Sequence, residues 1–158
     1  MPLRHWLFAF ASLLVITAAQ AEADRFGVTY VPAAVARVQI EKAALPEGIA
    51  LIDYAHTASH SVLLVRRTTP GRVEIHAALT DVWYVIHGGG TLVTGGKATD
   101  AKTIGPGELR GTGITGGIAH HLAKGDMVDI PAGVPHWVSK IDGKELVYLT
   151  VKVAMPKH

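Results

Sequence analysis

The stretch Gly125-Asp126-Met127-Val128-Asp129-Ile130-Pro131-Ala132-Gly133-Val134-Pro135-His136 constrains this chain more than any other. Val128 and Ile130 are apolar residues two apart, on either side of Asp129, the period of a half-buried strand. Pro131 presets its own φ and Gly133 tolerates a left-handed backbone, so the strand runs into a stiff corner. A single histidine, His136, then opens the next strand. A chain that delivers an imidazole from a corner between strands is built on sheets, and that imidazole needs partners.

The surrounding sequence supplies more strands of the same kind. Residues 49–56, 60–68, 72–78, 81–86, 91–94, 118–122, 126–130, 136–140 and 145–153 are rich in Val, Ile, Leu and aromatics. Pro70-Gly71, a small-residue turn at 77–80, Gly88-Gly89-Gly90 and Gly95-Gly96 separate the earlier strands, and Asp142-Gly143 turns the last hairpin. Residues 97–117 are rich in Gly and Thr with weak periodicity, and read as loops around one or two short strands. About nine or ten short strands at close spacing predict a β-sandwich or small barrel.

Ahead of the strands, residues 26–30 read as a short extended arm and 32–45 as a helix. Val31, Val35, Val38, Lys42 and Leu45 fall at helical spacing, Pro32 suits a first turn, and Pro46 with Gly48 ends the run. Its amphipathic pattern predicts a cap packed over one end of a sheet, with a dimer or lid element as the alternative.

The N-terminus reads as a targeting segment. Arg4 precedes an apolar run over residues 6–19, and Ala19-Gln20-Ala21 and Ala21-Glu22-Ala23 both fit a cleavage site of the A-x-A kind. The run is shorter than the roughly 18–20 residues a membrane-spanning helix requires. The expectation is a cleaved signal peptide over residues 1–23, an arm and helix over 24–48, and one barrel over 49–158. That implies a secreted or periplasmic protein with no stable membrane anchor after cleavage. An uncleaved anchor is the alternative.

Composition removes several function classes. No cysteine is present, which excludes disulfides, thiolate metal sites and a cysteine nucleophile. A net charge of +2, with no basic run longer than Arg66-Arg67, argues against nucleic acid. The glycine-rich segments lack the Gly-Lys-Ser/Thr and strand-to-helix context of a phosphate loop.

Chemistry-bearing residues cluster near 74–81. Glu74 and His76 lie two apart on one strand and share a face, and Asp81 stands just across the turn. With His136 these make a candidate metal site of His76, His136, Glu74 and Asp81. Two imidazoles and one or two carboxylates suit a divalent iron, manganese, nickel, copper or zinc ion. If instead salt-bridged or solvated, Glu74 and Asp81 are rim residues of a degenerate site. Trp83 shares parity with Asp81 and is a pocket wall or a core aromatic. Tyr148 is a hydrogen-bond donor in a pocket or a packed strand tyrosine, and His120 is a further ligand or base if its strand turns it inward. Trp83, Tyr148 and His120 are therefore the candidate substrate-binding residues.

Two spacings carry a resemblance. Gly125-x5-Pro131-x-Gly133-x2-His136 resembles the second motif of the cupin superfamily, and Glu74-x-His76-x4-Asp81-x6-Gly88 resembles the first. Three positions depart from the pattern: Glu74 stands for a His, Asp81 for a Glu, and Lys140 for an Asn. The resemblance spans residues 61–153 and implies an all-β, double-stranded β-helix (the cupin jelly roll) with a short N-terminal helix. It implies a metal-dependent oxygenase, isomerase or lyase acting on a small molecule, or a non-catalytic cupin that binds a small ligand beside a degenerate site. Asp81 is one methylene shorter than the residue it replaces, so it either ligates through an adjusted turn or stands behind the ligands. Small cupins commonly pair, which makes a homodimer a further implication of the resemblance.

Overall fold

The structure is a computed structural model and describes residues 23–156. The expected signal segment lies outside the described residues, apart from Ala23. An arm, bridged from Ala23 to Thr29, leads into α1 (Ala33–Lys42). A single 3-10 turn, Pro46–Gly48, precedes the strands. Eleven strands follow among the described residues: β1 (Ile49–His56), β2 (His60–Arg67), β3 (Val73–His76), β4 (Leu79–Thr94), β5 (Lys97–Thr99), β6 (Lys102–Gly105), β7 (Glu108–Gly111), β8 (Gly113–Thr115), β9 (Ile118–Ala123), β10 (Met127–Ile130) and β11 (His136–Ala154).

The helix stops three residues before its expected end. Ala43 turns extended at φ −62°, ψ 139°, and Leu45, preceding Pro46, is held out of the helical region. The tail 43–45 therefore lies against the sheet, where Ala43 and Leu45 join Ile40, Ala50, Leu64 and Val147 in an apolar cluster. That cluster covers the outer face of β1, β2 and β11. No helix among the described residues is long and apolar enough to cross a membrane.

A larger difference concerns the two strands that build the barrel. Gly88-Gly89-Gly90 and Asp142-Gly143 were expected as turns, yet β4 and β11 run unbroken through them. They pair antiparallel from Leu79↔Ala154 to Thr94↔His136, with irregularities that include a jump from Asp142↔Gly89 to Leu146↔Gly88. The glycines bend the strand instead of ending it. Gly88 has φ +72°, and a Cβ there would collide with the Glu145 carbonyl. At Gly89 a Cβ would lie 2.6 Å from the Leu122 carbonyl oxygen. This strand is squeezed between β11 and β9, and only glycine lets three backbones come that close.

The bend makes one strand pair serve both halves of the barrel. The first half of β4 pairs with β10, from Asp81↔Ile130 to Tyr84↔Met127, and its second half pairs with β9. The second half of β11 pairs with β2, while its first residue meets β3. Strand order continues through β3 to β7 and β6, and β5 with β8 forms a small separate ribbon. Thr94-Gly95-Gly96-Lys97 does turn sharply, with φ +73° and +66° at the glycines, but β5 beyond it pairs with β8.

Alternation then sorts the side chains. Leu63 and Val65 of β2, Trp83 and Val85 of β4, and Leu146 and Tyr148 of β11 fill the barrel interior with Leu92, Leu122, Ile130 and Val138. A fully buried aliphatic such as Leu146 contributes about 1.5–3 kcal/mol. One end of this interior is polar, and the site lies there.

Candidate metal centre

The two motifs meet through backbone pairing. β3 presents Glu74, Ile75 and His76, and its one register pair with β11 is Glu74↔His136. The corner that delivers His136 is pinned from the same side: Gly133, at φ +80°, donates its N–H to the His76 carbonyl at 2.8 Å. A corner sixty residues away in sequence is thus tied to the strand whose side chains it must meet. The imidazoles of His76 and His136, both 3 % exposed, stand with ring centroids 5.2 Å apart.

The outer nitrogens of both rings carry the hydrogens, which leaves the inner ones as acceptors, that of His76 facing Lys152 Nζ at 2.9 Å. His76 Nδ1 lies 2.7 and 2.9 Å from the two carboxylate oxygens of Glu108, which only accept, so Nδ1 carries the hydrogen. His136 Nδ1 donates to the Val134 carbonyl at 3.1 Å. Its Nε2 is buried and has no hydrogen-bond partner. Burial pushes the His136 imidazole below its ordinary pKa, against the pull of the Val134 carbonyl, Glu74 and Asp81. A neutral ring with an unused inward lone pair is the state a metal ligand needs.

Ligating atoms of Glu74, His76 and His136 all lie within 4.8 Å of one another. Burial raises the cost of ionising Glu74, but neighbouring His76, Arg67 and Arg110 outweigh it and hold the carboxyl well below the usual range. Its charge is available to a cation. Glu74 Oε1 accepts from Arg67 Nη2 at 2.6 Å, and Oε2 lies 3.4 Å from Arg110 Nη2 and 3.5 Å from His76 Nε2. These three donors fit a divalent ion in number, protonation and position.

Asp81 stands beside that trio. Its Oδ2 is 3.7 Å from His76 Nε2 and 3.8 Å from His136 Nε2, and its carboxylate is held by Lys152 Nζ at 2.7 and 2.9 Å. Trp83 Nε1 reaches the same Oδ2 at 3.4 Å. Trp83 in turn stacks on Tyr148, centroids 4.2 Å apart, and sets its ring edgewise to His136 at 6.0 Å. Trp83 and Tyr148 are therefore both core aromatics and neighbours of the imidazoles. Arg67, Glu74, Asp81, Trp83, Tyr148 and Lys152 line a cavity of about 430 Å³ at the barrel mouth.

His120 lies elsewhere. It is exposed, bonded to Thr94 Oγ1 at 3.0 Å, and lines a separate cavity of about 410 Å³ with β10 residues. A larger cleft, about 760 Å³, lies under α1 on the outer sheet face among apolar side chains such as Ile40, Leu64 and Val147. It is bigger than the mouth cavity but is lined by none of Glu74, His76, Asp81 and His136, so size alone does not mark the site.

Tyr148 accepts from Arg67 Nε at 2.9 Å, and complete burial pushes its hydroxyl up to about 12. Tyr148 is therefore expected to ionise well above the ordinary range of a tyrosine. Absorbance titration of tyrosinate in wild type and Tyr148→Phe should differ by one chromophore titrating near pH 12. Loss of a chromophore titrating near the ordinary value of about 10 would contradict the burial.

Four charged neighbours of the candidate site escaped the sequence reading: Lys152, Arg67, Glu108 and Arg110. Two of them carried a signal. Lys152 continues the alternation Leu146, Tyr148, Thr150, and Arg67 continues Leu63, Val65, so both belong to inward faces. Glu108 and Arg110 sit in the glycine-rich segment, where no periodicity marked β7.

No protein-family model matches the chain, and no curated protein matches it significantly. Solved structures do. KdgF from a Halomonas species superposes with a TM-score of 0.51 at 16% identity, over 72% of this chain and 86% of that one. A variant of PAC13 from Streptomyces, with uridine, gives 0.50 at 12% identity over 75% and 82%. Salicylate 1,2-dioxygenase from Pseudoaminobacter salicylatoxidans, with gentisate adducts, gives 0.50 at 18% identity over 70% of this chain and 26% of that one. Likeness at these identities speaks for architecture alone. The architecture shared with these neighbours is the one the two motifs implied, and this chain has the cupin fold.

Proposed function

We propose that this protein holds a divalent metal ion on Glu74, His76 and His136 and takes a small molecule into the mouth of the barrel beside it. The observation that carries this reading is the buried, unpartnered Nε2 of His136, facing His76 and Glu74. A buried polar atom without a partner costs free energy that a ligand bond would recover. A bound ion there supplies Lewis acidity or oxygen activation, the basis of oxygenase, isomerase or lyase chemistry. Arg67, Arg72, Arg110 and Lys152 line the mouth cavity against Glu47, Glu74 and Asp81. A divalent ion added to that lining favours a substrate bearing a carboxylate or similar anionic group. The expected leader adds secretion or export to the periplasm to this reading. A second reading, a cupin that binds a small ligand without chemistry, is favoured by one observation: Lys152 already engages both His76 and Asp81.

The test is elemental analysis of the purified chain supplied in turn with iron, manganese, nickel, copper and zinc. One equivalent of at least one metal is expected. His136→Ala should weaken binding by more than about 100-fold, beyond the effect of losing an outer partner of a ligand. Absence of stoichiometric metal from wild type under all five supplies would end the reading. Metal without oxygen uptake or product across a panel of small carboxylates would move the protein to the non-catalytic reading.

A further inference from the structure

We propose that Lys152 is a resident cation of this site, competing with the metal ion for His76, so that an incoming ion gains its full ligand set only when the lysine withdraws. The inference rests on the metal-centre reading and concerns how that centre is regulated.

Register and alternation place the ammonium. Lys152 pairs with Asp81 across β11 and β4, on the inward face that also carries Leu146, Tyr148 and Thr150. Its Nζ lies 2.9 Å from His76 Nε2 and 2.9 and 2.7 Å from the Asp81 oxygens. An ammonium donates and never accepts, so it takes the lone pair of His76 Nε2, the one left free because Glu108 holds Nδ1. Nε2 has a single lone pair and cannot serve the lysine and a metal at once. The two imidazoles are therefore unequal. His136 Nε2 is unpartnered, whereas His76 Nε2 is already engaged.

Withdrawal is feasible without moving the sheet. Lys152 is partly exposed and lines the mouth cavity of about 430 Å³. Its four-carbon stem is flexible, and its charge can be hydrated in that space. Once it leaves, the Asp81 carboxylate, 3.7 and 3.8 Å from the two inner nitrogens, is freed beside the ion. The lysine thus fills with a protein charge the place opposite Asp81 that the metal would otherwise dominate. It keeps two buried acceptors satisfied until an ion arrives.

The test compares wild type with Lys152→Met, which keeps the stem and removes the charge. Titration calorimetry with nickel(II) and zinc(II) should show binding to the variant tighter by about 10- to 100-fold, matching the loss of one charge-assisted hydrogen bond that the ion no longer has to break. Should Lys152→Met fold poorly because Asp81 is left unpaired, the Lys152→Met/Asp81→Asn double variant removes both charges, and it should bind more tightly than the Asp81→Asn single variant. In wild type, acylation of Lys152 read by mass spectrometry should rise on adding either metal. Wild type binding one equivalent, with variant affinity equal or weaker and Lys152 reactivity unchanged, would overturn the competition and leave the metal centre standing. Binding by Lys152→Met but not by wild type would establish the competition and remove metal from the native site. Binding by neither chain would overturn both.

Discussion

Arg67→Met is expected to destabilise the protein by about 3–5 kcal/mol, toward the lower end, because it breaks a buried charge pair from one side. Arg67 is 5 % exposed and ties two groups together, donating through Nη2 to Glu74 at 2.6 Å and through Nε to the Tyr148 hydroxyl at 2.9 Å. Methionine fills similar space but leaves the carboxylate with Arg110 as its remaining cation, at 3.4 Å, and the phenol oxygen with no donor. The lower end follows because Arg67 Nη1 is itself buried without a partner, and its removal offsets part of the loss. Urea unfolding should show a lower midpoint with an unchanged slope. The pH dependence should change with it. The folded state holds the Glu74 carboxyl below its unfolded value, so its contribution is present above about pH 4.3 and is lost as pH falls toward the folded value. In Arg67→Met that acid-side loss should shrink. A cost under about 1 kcal/mol, of the order of a surface ion pair, would show that Arg67 is not the tie described here.

Gly88→Val is expected to abolish the folded barrel, a loss beyond the roughly 4–5 kcal/mol that marks exceptional substitutions. At φ +72° an L-residue bears about 1–2 kcal/mol of steric cost before any packing is considered. Its Cβ would then collide with the Glu145 carbonyl of β11. The strand has little room to retreat, because β9 pairs with it on the other side from Gly89↔Ala123 onward. Gly95→Val is the control: φ is +73°, yet nothing lies within 4 Å of its Cβ position. Circular dichroism and soluble yield should separate the two, with Gly95→Val folded and Gly88→Val not. Equal behaviour would mean that backbone conformation alone decides and that the close approach of three strands is unimportant.

Those two substitutions also show where reading the sequence succeeds and where it stops. Val128, Ile130, Pro131 and Gly133 announce a strand and a corner because their constraints are local: alternation, a fixed φ and a tolerated left-handed turn. Glu74 and His76 share a face for the same reason. Gly88-Gly89-Gly90 looks like punctuation by the same local logic, and there the logic fails. A glycine run permits either a turn or an unusually close strand approach, and the choice depends on β11 and β9, which lie at other points of the chain. Asp142-Gly143 is ambiguous in the same way and proves to be an irregularity within β11.

The candidate site divides along this line. The motif spacings and the periodicity of the chain determined the β-barrel class and four ionisable residues, Glu74, His76, Asp81 and His136, as candidates for one centre. Only the tertiary structure decided how the centre is charged. Pairing of β11 with β4 sets Lys152 opposite Asp81, pairing of β3 with β7 brings Glu108 and Arg110 to His76 and Glu74, and Arg67 arrives on the neighbouring strand β2. The same pairings leave His120 on a different cavity. Ligand type and parity are properties of a few adjacent residues, whereas protonation and competing charges depend on what long-range strand pairing places within about 4 Å, where charges act strongly on one another.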